Sequence, residues 1–415
     1  MRLAVTYTAL YRLLFFVCIG VPYLNNYELT FAVWAFAVLI SLSKSYTWGF
    51  VKYVGLFVAI LAIAAVVGLT KEYPAYYVIR DITYMAKPIM GLMIGYQLCK
   101  KTFNKGFETI VLTGLVIALI HLTVLFLAVV LHNARTVNDL RLHGGYFSDF
   151  EVFAFVILLF HDRFGLSFSR RNRLWFTYII GFSAFMYLAR TNFLQFFILF
   201  FAMKGYFRIT PKSIAVVTAS AAVLVVAYSA IVMSNPRRNG PGVEAFLYKI
   251  KIAPTEPFKT KINVDDWRDF NDNYRSYENI NTVRQMAGHG TTAVVIGEGI
   301  GSRVDLKKEV MLGDMMLRYI SILHNGFMTV FLKSGLVGVF IYLYSIYLLI
   351  RPRRSSKPLL RQINLLLVGT GIFLILSNWV FMGVYNLLDS KSVLIGFLLC
   401  YKQMYEQQTS RIQHD

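Results

Sequence analysis

A histidine at a border between polar and apolar chain is a natural place to look for acid–base chemistry, because its ordinary titration range brackets neutral pH. Of the seven histidines in this chain, His324 alone closes the long polar stretch 234–325 and opens an apolar one, in SILHNGFMTVFLKSGLVG (321–338). An imidazole there can take the proton of an attacking hydroxyl at a membrane surface, or it can simply cap the helix that follows. Permanent cations would complement such a base. Arg190 lies in YLARTNFLQFF, a short turn between two apolar runs, and Arg80, Tyr84 and Lys87 share one helical face in VIRDITYMAKPIMG. Arg141 and Arg284 stand in the polar stretches RLHGGYF and NTVRQMAG. Guanidinium groups grip phosphate oxygens in pairs and keep their charge, so this set suits a phosphate or pyrophosphate. Lys87 would lie roughly 10 Å deeper than Arg80 at the rise of an α-helix, where an ammonium must snorkel, pair or line a polar cavity. The plain structural roles are Arg190 as a helix cap, Arg80 paired with Asp81, and Lys87 snorkelling. His121, inside an apolar run, reads as a packed core residue, and His143 and His289 as loop residues.

The elements that must position these groups are membrane helices. The 415 residues are 57% apolar and 16% aromatic but only 15% charged, with mean hydropathy +0.55, which excludes a soluble enzyme. Twelve apolar segments are expected, at 4–24, 29–43, 48–69, 82–99, 107–131, 147–161, 174–189, 192–206, 214–233, 326–350, 363–384 and 390–404. The organisation expected is a transmembrane region 1–233, a loop domain 234–325, and a second transmembrane region 326–415 with its tail. Short loops on one side carry sixteen Lys and Arg, among them Lys44, Lys100, Arg170, Lys204, Arg351 and Arg354. The opposite loops carry six: Lys71, Arg80, Arg135, Arg141, Arg190 and Lys391. By the positive-inside rule both termini are cytoplasmic and the 234–325 segment is external. The first stretch, MRLAVTYTALYRLLFFVCIGVPYL, lacks a small-x-small cleavage site and reads as an uncleaved helix. A net charge of +20 then reflects topology and anionic membrane lipid; no nucleic-acid-binding module is visible, so nucleic acid is not an expected partner.

No metal and no cofactor is expected. Cys18, Cys99 and Cys400 all fall in or at the ends of apolar segments, and there is no H-E-x-x-H, zinc ligand set or Ser-His-Asp arrangement. VIGEGIGS has nucleotide-loop glycines without the P-loop Lys-Ser/Thr, and reads as a tight turn.

Four stretches together resemble the O-antigen polymerase and O-antigen ligase superfamily. HNGFMTVFLKSGLVGVFIYLYSIYLL is similar to its C-terminal signature, a histidine ending the large periplasmic loop before a helix with a G-x-x-G element, here Gly335 and Gly338. RTNFLQFF resembles its Arg-containing turn before a short helix. NTVRQMAGHGTTAVVIGEGIGS resembles its loop segment, in which an Arg precedes a glycine-rich turn. RLHGGYFSDFEVFAF resembles a further stretch, but Phe150 and Glu151 stand where Pro-Asn is usual. The motifs occur in the expected order over roughly residues 80–340.

The resemblance implies an all-α polytopic membrane protein of the GT-C-like kind, with about twelve transmembrane helices and a large periplasmic loop domain between helices 9 and 10. It implies a metal-independent glycosyltransferase of the bacterial inner membrane. The donor would be an undecaprenyl-pyrophosphate-linked glycan, and the acceptor a second lipid-linked glycan for a polymerase or lipid A core for a ligase. A polymerase of O-antigen or exopolysaccharide repeat units could also work with a chain-length regulator. In that scheme His324 and Arg190 are catalytic, and Arg80, Lys87, Arg141 and Arg284 bind pyrophosphate. A lipid-linked oligosaccharide flippase is the alternative of another class; the absence of two-half hydropathy symmetry and the single one-sided loop domain argue against it.

Overall fold

The computed structural model describes residues 7–411 apart from 135, 209, 239, 242, 257, 313, 314, 352, 354 and 387. Arg135 and Arg354, two of the loop charges counted above, lie outside the described residues. The helices are α1 (Tyr7–Gly20), α2 (Tyr27–Ile40), α3 (Trp48–Leu69), α4 (Ala75–Thr102), α5 (Gly106–His132), α6 (Val137–Gly144), α7 (Asp149–Leu159), α8 (Arg170–Met186), α9 (Arg190–Lys204) and α10 (Pro211–Ser234). After them come α11 (Glu244–Ile252), α12 (Trp267–Asp272), α13 (Tyr274–Gly288) and α14 (Thr291–Ile296). A hairpin of β1 (Val304–Leu312) and β2 (Met315–Ile320) leads to α15 (Gly326–Ile350), α16 (Pro358–Phe381) and α17 (Lys391–Arg411).

Among the described residues, six helical stretches are long and apolar enough to cross a membrane: Tyr7–Leu24, Trp48–Leu69, Ala75–His132, Pro211–Ser234, Gly326–Ile350 and Pro358–Phe381. The stretch Ala75–His132 contains α4 and α5, divided by a short 3-10 turn at Phe103–Lys105. The chain is therefore a mostly helical membrane protein. Each of the twelve expected segments coincides with a helix, but among the described residues only these six stretches have the length and hydropathy of a span. The hairpin is the departure from an all-α chain among the described residues. Its strands pair antiparallel with an irregularity between Asp305 and Val310, where Lys307 takes a left-handed conformation (φ 62°).

Close packing of α4 against α17 is the central contact of the bundle, and it depends on missing side chains. A Cβ on Gly95 would come within 1.9 Å of the Val393 carbonyl oxygen, and one on Gly396 within 2.1 Å of that of Leu92. Small residues let backbones approach and gain dispersion energy where lipid offers no hydrophobic drive. By contrast, none of the apolar window of α10 is buried within the chain.

Residues 234–325 hold α11 to α14 and the hairpin, and share a small core with α15: Phe270, Met286, Val304, Leu306, Ile320 and Leu323 pack with Phe331 and Leu332. The glycine stretch joins this cap to the bundle. Gly335 breaks α15 (φ 62°, ψ −164°), and the nearby Leu332 and Lys333 carbonyls accept the N–H groups of Glu298 (2.8 Å) and Gly299 (3.1 Å). The Ile300 N–H donates to Ala64 of α3 at 2.9 Å. Gly297, Gly299 and Gly301 all have positive φ, and a Cβ on Gly299 would lie 2.2 Å from the Gly68 backbone. Only glycine fits there, which accords with the tight-turn expectation. Beneath the turn the Lys333 ammonium, fully buried, donates to Asp81 (2.6 Å) and to the Ser302 carbonyl (2.5 Å), while Asp81 also accepts the Gly301 N–H at 2.7 Å.

Candidate active site

The cap on α15 is Asn325, not His324. Its Oδ1 accepts the N–H groups of Phe327 (2.9 Å) and Met328 (3.2 Å), satisfying two of the orphan donors of a helix start. His324 is held instead by Glu278 of α13. The carboxylate oxygens lie 2.9 and 3.1 Å from Nδ1, and one of them also accepts the His324 backbone N–H at 3.1 Å. Glu278 is 1% exposed and the imidazole 46% exposed. A buried carboxylate at Nδ1 fixes the proton there, so the lone pair sits on Nε2. Nε2 meets no hydrogen-bonding group among the described residues. Tyr274 abuts the ring edge-on, with centroids 5.7 Å apart, and burial followed by the nearby Glu278 pushes its phenol far up, so it stays neutral.

Arg190 begins α9. Its guanidinium donates to the Lys249 carbonyl and reaches Glu256 at 3.4 Å. Arg275 donates to the other oxygen of the same carboxylate at 2.6 Å. These groups line a cavity of about 640 Å³ together with Arg141, Arg238, Lys249, Trp379 and Phe381. Five cations thus face one space with two carboxylates, Glu256 and Asp272, and Asp272 is occupied by Arg238 (3.0 Å) and the Tyr248 hydroxyl (2.7 Å). Burial, then Arg141 and Arg190, depress the Lys249 ammonium; burial, then Arg190, do the same to Arg141. The Arg141 Nε is buried without a partner. Like charges held together at this cost form a concavity prepared for an anion.

The first turn of α13 joins the two halves. Tyr274 and Glu278 face His324 while Arg275 faces the cavity. From the other side Phe381 lines the cavity, and the next residue, Met382, donates its N–H to the His324 carbonyl at 3.0 Å. His324 and the cation-lined cavity are therefore neighbours, joined through the first turn of α13 and through Phe381-Met382.

Of the residues singled out by sequence, Arg190 and Arg141 meet in that cavity. Arg80 donates to Ser321, three residues before His324, and lies over Tyr76 (5.6 Å) and Tyr77 (5.0 Å). It does not pair with Asp81, which Lys333 occupies. Lys87 is elsewhere: it is buried over the Trp34 ring and donates to the Asp389 carbonyl at 2.8 Å. Asp389 pairs with Lys391, and Lys391 with Asp149 at 3.1 Å, in a separate buried network. Arg284 is also elsewhere, because it follows Arg275 by nine residues, half a turn out of phase at about 100° per residue, and lines a different cavity. Phe150 is buried against Phe15, with centroids 6.0 Å apart, and Glu151 accepts the Tyr187 hydroxyl at 2.9 Å, so both point into the bundle. His121 bonds Ser183 at 2.8 Å and stacks on Tyr187, the packed core role expected of it.

Sequence reasoning missed Glu278 and Arg275. Their signal was the run YRSYENINTVRQ, which at helical spacing places Tyr274 and Glu278 one turn apart. No protein-family model matches the chain, and no curated protein matches it in sequence.

Chemically, a half-exposed imidazole oriented by a buried carboxylate can accept a proton at Nε2. The adjoining cations can stabilise negative charge growing on a leaving group without reorganising.

Proposed function

We propose that this protein is a membrane glycosyltransferase acting at the periplasmic face of a bacterial inner membrane, with both termini cytoplasmic and twelve helices crossing or entering the bilayer. The donor is a glycan linked through pyrophosphate to undecaprenol. An acceptor sugar hydroxyl attacks the donor's anomeric carbon as His324 Nε2 takes its proton. The bond from that carbon to the phosphate oxygen breaks, and the lipid pyrophosphate leaves with the electron pair toward Arg190, Arg141, Arg275 and Lys249. Glu278 holds the imidazole in the required tautomer. The observation that carries this reading is the junction of the His324–Glu278 pair with the cavity lined by Arg190.

Polymerisation of O-antigen or exopolysaccharide repeat units is the form of the reaction we favour; transfer to lipid A core is the alternative. The resemblance of HNGFMTVFLKSGLVG and RTNFLQFF to the O-antigen polymerase and ligase superfamily supports either. The test is reconstitution of the full chain in vesicles with undecaprenyl-pyrophosphate-linked repeat units. Longer glycans, lost in the His324→Ala protein, are expected; unchanged product formation by that variant would remove the proposed base.

A further inference from the structure

A second cavity, about 980 Å³, lies on the other side of α13 from Arg190. Its floor is the lipid end of α3, where Val66 and Val67 border it and Val66 is 64% exposed. Its upper wall is polar, with Arg284, Arg303, Lys71 and Tyr319. The acids there are already engaged: Glu298 by His289 and Gln285 (3.1 Å), and Asp305 by Arg318 (2.8 Å) and Lys307 (3.1 Å).

Three cations from three separate segments are left without a carboxylate. Among the described residues the side chains of Lys71 and Arg284 meet no hydrogen-bond or ion-pair partner. Arg303 is held only by rings, 4.2 Å from the centroid of Tyr77 and 5.1 Å from that of Tyr319. An apolar floor at the end of a span-length helix, a cationic wall and flat tyrosine faces together match one kind of ligand: an amphiphile with an anionic, sugar-bearing head.

We propose that this groove binds a lipid-anchored, phosphate-bearing saccharide as the acceptor substrate, entering from the membrane beside the end of α3. The acceptor role rests on the transferase reading above; the binding itself does not. Asn281 lines the groove one turn along α13 from Glu278, about 4.5 Å of helix rise. A hydroxyl projecting over that turn reaches His324, while the donor approaches from the opposite flank. Arg80 and Arg303 both lie within 5.0 Å of the Tyr77 ring centroid, which links the groove to the residues before His324.

The experiment uses the full chain in lipid nanodiscs with a photoactivatable undecaprenyl pyrophosphate bearing one N-acetylglucosamine, and maps the labelled peptides. The natural chain is expected to label both the end of α3 and the cavity of Arg190. Lys71→Glu with Arg284→Glu, both surface positions without side-chain partners, should cut the α3 labelling at least about tenfold and leave the other unchanged. In turnover assays the same variant should raise KM for the acceptor with kcat nearly constant. Labelling of the Arg190 cavity alone in the natural chain, or full α3 labelling in the double variant, overturns the proposal. Inorganic pyrophosphate that competes at equal concentration would show a site for soluble anions and overturns it equally. Groove labelling without labelling at Arg190 upholds the groove and sinks the donor site instead.

Discussion

On the proposed reading His324 and Glu278 divide one task between them, and each half can be removed separately. His324→Ala is expected to lower glycan transfer by about 100-fold or more, the range for a lost general base, with folding unchanged because the imidazole is half exposed. Glu278→Gln keeps the shape but offers an amide in place of the carboxylate, so transfer should fall with KM little altered; equal activity would show that the carboxylate does not orient the ring. Arg190→Lys retains charge but loses the fork geometry, and at least about a tenfold loss in kcat/KM is expected, measured by product length on gels. His324 and Arg190 stood out in the sequence because each marks a border of apolar chain. Glu278 did not, since a carboxylate in a polar segment carries no such contrast. Arg275 was overlooked for Arg284, a choice that the phase of α13 decides and that composition cannot.

At the scale of elements, the helices were readable because apolar runs of span length have few other outcomes. Their ends were less so. The fourth apolar segment, 82–99, lies within a helix that runs on to Ala75, where Arg80 and Asp81 are satisfied by Ser321, Gly301 and Lys333, partners more than two hundred residues away. The hairpin was missed although Gly313-Asp314 separates two strand-like runs. It is also acid-sensitive by construction. Arg318 above all holds the Asp305 carboxyl well below its ordinary range, so the pairing stabilises above ~3.9 and fades as pH falls through the lowered value. Arg318→Gln should therefore move acid loss of strand structure to higher pH, followed by circular dichroism or hydrogen exchange. Within the bundle, Lys333→Met strands Asp81 without its ammonium. A cost of about 3–5 kcal/mol is expected, seen as a lower Tm in detergent, and pairing it with Asp81→Leu should recover part of it.

On the whole-molecule scale, five of the six minority basic residues can be read by position. Of the five described, Lys71, Arg80, Arg141 and Arg190 line cavities beside the 234–325 segment or bond to it, and Lys391 pairs with Asp149 close beneath. Function, on our reading, holds them against the topological bias. The proposed orientation has a direct check. With Cys18, Cys99 and Cys400 replaced, a cysteine at the exposed Asp265 should react with a membrane-impermeant maleimide in spheroplasts, and one at Lys105 should not; the reverse pattern would invert the protein. The glycine turn carries a further consequence. Its amides complete the broken ladder of α15 and tie into α3, so the 234–325 segment is fastened to the bundle at this turn. It should melt together with the helices beneath it in a single calorimetric transition, and a protease cut within it should lower the midpoint of the entire chain.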